Sequence, residues 1–72
     1  MNIQVGDFIM YKNNSDIRID KIIQVDLYYS RLLCYDYAFR SKYWIRLDFY
    51  EDCIIGKLHP ILVKLWRLDE RY

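Results

Sequence analysis

Two stretches of this chain alternate apolar and polar residues with a period of two, and that pattern restricts the fold more than any other feature. Along 17–27, Ile17, Ile19, Ile23, Val25 and Leu27 share one phase, while Arg18, Asp20, Gln24 and Asp26 share the other. Along 43–50, Tyr43, Ile45, Leu47 and Phe49 alternate with Trp44, Arg46, Asp48 and Tyr50. Successive side chains of a strand point to opposite faces, so each run reads as a strand with one face toward a core and one toward water. Lys21 interrupts the apolar phase of the first run, and a break in mid-strand marks a bend or bulge.

Three more segments complete the set. Phe8–Tyr11 reads as an opening strand between Val5-Gly6-Asp7 and the turn residues Asn13-Asn14-Ser15-Asp16. Leu33, Tyr35, Tyr37 and Phe39 alternate with Cys34, Asp36 and Ala38 between Ser30-Arg31 and Arg40-Ser41-Lys42. After an acidic turn at Glu51-Asp52, Cys53–Leu58 reads as a fifth strand, with Gly56 placed for a bulge or close backbone approach. Pro60 suits the first position of a short helix in which Ile61, Leu65 and Leu68 share a face and which closes one end of the sheet; an edge strand through Ile61, Val63 and Leu65 is the alternative.

Strands at roughly ten-residue spacing with polar turns and no crossover helix predict a mainly β fold: a five-stranded antiparallel small barrel or curled sheet with a short C-terminal helix. The 72 residues form a single domain, 1–72, whose aromatic share of 18% compensates for its size, because each buried aromatic removes a large area from water.

The opening Val5-Gly6-Asp7-Phe8-Ile9, followed by this strand rhythm and by Gly56-Lys57, resembles the SH3-like small barrels, including tudor and KOW-type domains. The segment around Lys21 lacks the glycine of a KOW turn. In composition, a short chain rich in Asn, Ile, Lys and Tyr also resembles accessory proteins of phages and mobile elements. These resemblances imply a compact binding module.

Charge and chemistry narrow the function. Eleven basic and ten acidic side chains leave a net charge of +1, too little to steer the protein onto a polyanion. Cys34 and Cys53 stand apart, with no C-x-x-C spacing and no apolar leader before the fold, which predicts reduced thiols and a cytoplasmic location. No apolar run approaches the length of a membrane span. Cys34, Cys53 and His59 match no familiar zinc spacing, so no metal or other cofactor is expected. His59 is the single candidate base, and Ser15, Ser30 and Ser41 all fall in turns, so no catalytic residue is assigned and the chain is expected not to be an enzyme. Asp36 and Asp48, on outward phases of adjacent strands, are the one pair with the look of an acid–base couple; without a cleft they read as solvated surface acids.

The remaining concentration of chemistry lies at 39–46, where Arg40, Lys42 and Arg46 are interleaved with Trp44. With Tyr28 and Tyr50 on the polar phases of their strands, these residues form a candidate partner-binding face. Trp, Tyr and Arg are the residues that anchor protein interfaces. The expected function is therefore a non-enzymatic protein-interaction module, an inhibitor or adaptor of phage type that occludes a host protein, with homodimerisation as a further expectation. A nucleic-acid-binding SH3-like domain, with the same cations on phosphate and Trp44 stacked on a base, is the alternative. Packing of Trp44 against Trp66 as part of the structure is the third reading.

Overall fold

The structure, a computed structural model, describes residues 3–70. Five strands, β1 (Phe8–Asn13), β2 (Asp16–Asp26), β3 (Arg31–Asp36), β4 (Ser41–Arg46) and β5 (Ile54–Lys57), form one antiparallel sheet in the order β4-β3-β2-β1-β5. A helix, α1 (Leu47–Cys53), runs directly from β4 into β5, and a second, α2 (Pro60–Leu65), precedes a 3₁₀ turn at Leu68–Glu70. The sheet is not closed by hydrogen bonds between β4 and β5, so of the two expected forms the curled sheet is the one adopted.

Turn chemistry sets the connections. Gly6, at φ +93°, occupies the third position of a turn closed by the Asp7 N–H donating to the Gln4 carbonyl at 3.1 Å, where a side chain would be strained. Asn14 takes the left-handed conformation in the two-residue loop between β1 and β2. The next two hairpins repeat one solution. Asp26 and Asp36 each end a strand and accept backbone N–H groups from the loop that follows, Tyr29 in the first case and Ala38 and Phe39 in the second. Each four-residue loop then leaves through a left-handed residue, Ser30 or Arg40.

Ile9, Tyr11, Ile22, Leu32, Cys34 and Tyr50 form the buried cluster on the inner face. The predicted phase is reversed in β3 and in β2 up to its bulge, and holds in β2 beyond it. In β2, Asp20 and Ile22 point inward and Ile17 outward, because a bulge between Ile22 and Gln24 changes the face; beyond it Val25 packs on the core. The expected irregularity at Lys21 thus exists, two residues further on. In β3 the inward residues are Leu32, Cys34 and Asp36. The outward Ile17 and Ile19 are not stray apolar groups. They line a groove with Leu65, Trp66 and Leu68, and the Tyr37 hydroxyl donates to the Leu68 carbonyl at 2.8 Å to hold that segment there.

The strand predicted through Tyr50 ends at Arg46. Leu47–Cys53 is helical, so the Glu51-Asp52 turn is the last stretch of α1. Helical periodicity then turns Tyr50 into the core, where it is fully buried against Tyr11 with ring centroids 5.4 Å apart. A bulge at Ile55, beside Gly56, meets the expectation for the fifth strand. Pro60 begins α2 as predicted, and the His59 ring caps it by accepting from the Ile61 N–H at 3.1 Å.

Candidate functional site

Two places bring polar chemistry together, one inside the sheet and one on its outer face. Inside, Asp20 is fully buried on β2. Its Oδ2 accepts from the hydroxyls of Tyr43, on β4, and Tyr50, on α1 at 3.1 Å. β2 and β4 flank β3, so a long tyrosine side chain on the shared inner face bridges them, and α1 brings Tyr50 in over the same face. Oδ1 of Asp20 has no hydrogen-bond partner among the described residues. Burial raises the Asp20 carboxyl to about 6 despite the two phenol bonds, and the neighbouring Asp36 carboxylate pushes the same way. Burial likewise raises the Tyr43 and Tyr50 hydroxyls and lifts the Cys34 thiol to about 12.

Asp36 stands directly across from Asp20 in the β2–β3 register, and its environment is different. Arg18 reaches its Oδ2 at 3.3 Å while Ala38 and Phe39 donate to Oδ1, so this second buried acid is fully partnered. Arg18 in turn lies over the Phe39 ring, 4.3 Å from its centroid. The expectation that Asp36 and Asp48 form an outward pair is therefore overturned: Asp36 is buried in the β3–β4 corner and Asp48 is exposed on α1. The Asp20 carboxyl is thus held among phenols with no exposed surface of its own.

On the outer face, β4 presents Lys42, Trp44 and Arg46, as the alternation predicts. The register sets Trp44 across from Leu33 and Arg46 across from Arg31. The Arg31 guanidinium lies 4.1 Å from the Trp44 ring centroid and 5.2 Å from that of Tyr29. Tyr29 meets Tyr28 edge-on at 4.7 Å, and Tyr28 is 86% exposed at the tip of the β2–β3 loop. A cation held against aromatic faces gains from the ring quadrupole, and the guanidinium plane stiffens the cluster.

Both arginines carry a carboxylate. Asp26 accepts from Arg31 Nε at 3.0 Å, and this bond, with the Tyr29 N–H, holds its carboxyl below the usual range. Asp48, lowered first by the Phe49 N–H, meets Arg46 at 2.8 Å.

Of the predicted partner-binding residues, the structure brings Trp44, Arg46 and Tyr28 to one end of the β3–β4 face and places Lys42 two residues along the same strand. Arg40 lies exposed in the β3–β4 loop, at the other end of β4. Tyr50 is removed from the site, because it is a core residue. Trp44 is 43% exposed and stacks on Arg31, whereas Trp66 lines the groove beside Ile17; packing of the two against each other is not what holds Trp44. Sequence reasoning missed Arg31 and Tyr29. The sole signal for them was their place at the end of a predicted turn, and only the β3–β4 register puts Arg31 beside Trp44.

Among the described residues, no group of three His, Cys, Asp or Glu side chains gathers to hold a metal, and no helix is long and apolar enough to cross a membrane. The chain matches no family model, and neither the curated proteins nor the solved structures include a significant match.

Proposed function

We propose that the protein is a non-enzymatic interaction module that binds a protein partner through the outer face of β3 and β4, centred on Trp44 and Arg31 with Tyr28, Tyr29 and Arg46 around them. The carrying observation is the Trp44–Arg31–Tyr29 stack: a half-exposed aromatic and arginine cluster held in place before any partner arrives. Ordering side chains on association costs free energy, and a cluster already stacked and ion-paired avoids part of that cost. Because Asp26 holds Arg31 against the rings, the centre of this face offers aromatic surface more than free positive charge, which favours an aromatic-centred contact over phosphate capture; the Arg46 head, in an exposed pair with Asp48, keeps its charge at the margin. In such a role the module acts by occlusion, as an inhibitor or adaptor. The strand order and the bulged β2 support the resemblance to SH3-like barrels.

The nucleic-acid reading retains one supporting observation, the cross-strand row Lys42, Tyr35, Lys21 and Phe8 on the same outer face. One experiment separates the two. Wild type and Trp44→Ala, both folded by circular dichroism, are used to capture partners from a nuclease-treated lysate at low and high salt. A salt-resistant protein band lost with Trp44→Ala is the expected result. Binding that disappears with nuclease, or falls steeply with salt, refutes the protein-partner reading in favour of nucleic acid.

A further inference from the structure

The two edges of the sheet are built differently. β5 has four residues, is bulged at Ile55, and is followed within three residues by Pro60, so it presents little regular backbone. β4 pairs along all six of its residues with β3 in unbroken register, and among the described residues its backbone hydrogen bonds run to no other strand. Its outer edge is a row of donors and acceptors of the kind that accepts an added strand.

The side chains of β4 specify what such a strand carries. Residues opposite one another in a sheet share a face. On the outer face an incoming strand meets Lys42, Trp44 and Arg46, and the Arg46 side chain is 79% exposed even with Asp48 beside it. On the inner face it extends the side of Tyr43 and Ile45, next to a pocket of about 300 Å³ whose wall these two residues share with the apolar Phe49 and Cys53 and, on the β1 side, with Lys12 and Asn14. Self-pairing of β4 about Trp44 sets Lys42 of one copy against Arg46 of the other, and like charges directly opposite destabilise a sheet. The same two cations favour an acidic partner.

We propose that the β4 edge takes an added strand from a partner protein, an extended segment in which acidic residues alternate with apolar ones. The acidic residues lie against Lys42 and Arg46, and the apolar residues cover Tyr43 and Ile45 and enter the pocket. This rests on the protein-partner reading above and names the partner's local chemistry.

The test uses a labelled peptide of alternating Val and Glu, with an alternating Val and Lys peptide as its control, measured by fluorescence polarisation on the full chain. The acidic peptide is expected to bind about tenfold tighter or more, since two cross-strand charge pairs change sign between the probes. Amide exchange of Ser41–Arg46 slows on binding, and N-methylation of alternate peptide bonds abolishes it. Lys42→Glu with Arg46→Glu reverses the preference; the exchange and N-methylation measurements need no variant.

Equal affinity for the two peptides overturns the inference, as does protection that maps to β5 or away from β4. Concentration-dependent protection of β4 without peptide assigns the edge to a second copy and also overturns it. If Trp44-dependent capture persists while the acidic peptide fails, only the edge inference falls. Loss of both removes the partner reading as well.

Discussion

Replacing Asp20 by Asn changes how stability depends on pH, by an amount that follows from its burial. An exposed aspartate titrates near 3.8, whereas the folded protein holds Asp20 at about 6. Below pH 3.8 the group is protonated in both states and has no effect. As pH rises from 3.8 toward 6 the unfolded chain ionises while the folded one keeps its proton, so folding stability falls. Above 6 the loss is complete. At about 1.36 kcal/mol per pH unit, the gap of roughly 2.2 between 3.8 and 6 amounts to about 3 kcal/mol, a large part of the stability of a domain this small.

Asn keeps an oxygen for the Tyr43 and Tyr50 hydroxyls and cannot ionise. Its amide, placed where Oδ1 has no partner, has a burial cost that does not vary with pH. The stability difference between Asp20→Asn and wild type should therefore move in favour of Asn by about 3 kcal/mol between pH 3.5 and pH 7.5. Urea unfolding followed by circular dichroism at a series of pH values measures it. A difference that is flat across that range would refute the reasoning and mean that Asp20 is ionised and solvated in the folded protein.

Tyr50→Phe keeps the ring and removes one donor from the buried carboxyl, and should destabilise by about 1–3 kcal/mol at neutral pH in the same urea assay. Arg18→Ala, which takes the cation from the buried Asp36 while leaving its two backbone donors, should cost a similar amount, about 1.5–3 kcal/mol. With its thiol raised to about 12 and fully buried, Cys34 should resist alkylation by iodoacetamide at pH 8 in the native protein and react only after denaturation; peptide mapping by mass spectrometry reads this out. Gly6→Ala meets no atom within 4 Å, so its cost is the backbone strain of a φ of +93° alone, about 1 kcal/mol by thermal denaturation.

Local alternation and turn chemistry carried most of the element list. Asn13-Asn14-Ser15-Asp16, Ser30-Arg31 and Arg40-Ser41 all mark reversals in the structure, and Pro60 opens the helix it was expected to open. These signals are legible because a β-turn or a helix start is decided by the conformational preferences of a few adjacent residues. The outward direction of Trp44 and Arg46 was legible for a related reason, since within an unbulged strand the face of one residue dictates that of the next.

The inside and outside of β2 and β3 were decided elsewhere. One extra residue at the β2 bulge exchanges the two faces, and an aspartate can occupy the inner one only where phenols from β4 and α1 converge on it. Ile17 and Ile19 are tolerated on the outer face because the distant segment around Leu65 and Leu68 lies beside them. Leu47–Cys53 alternates like a strand yet folds as a helix, since the chain leaves the sheet there to span from β4 to β5, and that choice moved Tyr50 from the expected surface to the core. Short-range patterning thus settles where strands and turns fall along this chain. Which face meets the core, and which distant side chains stand beside Trp44, depends on register and on partners far away in sequence, and so belongs to the tertiary structure.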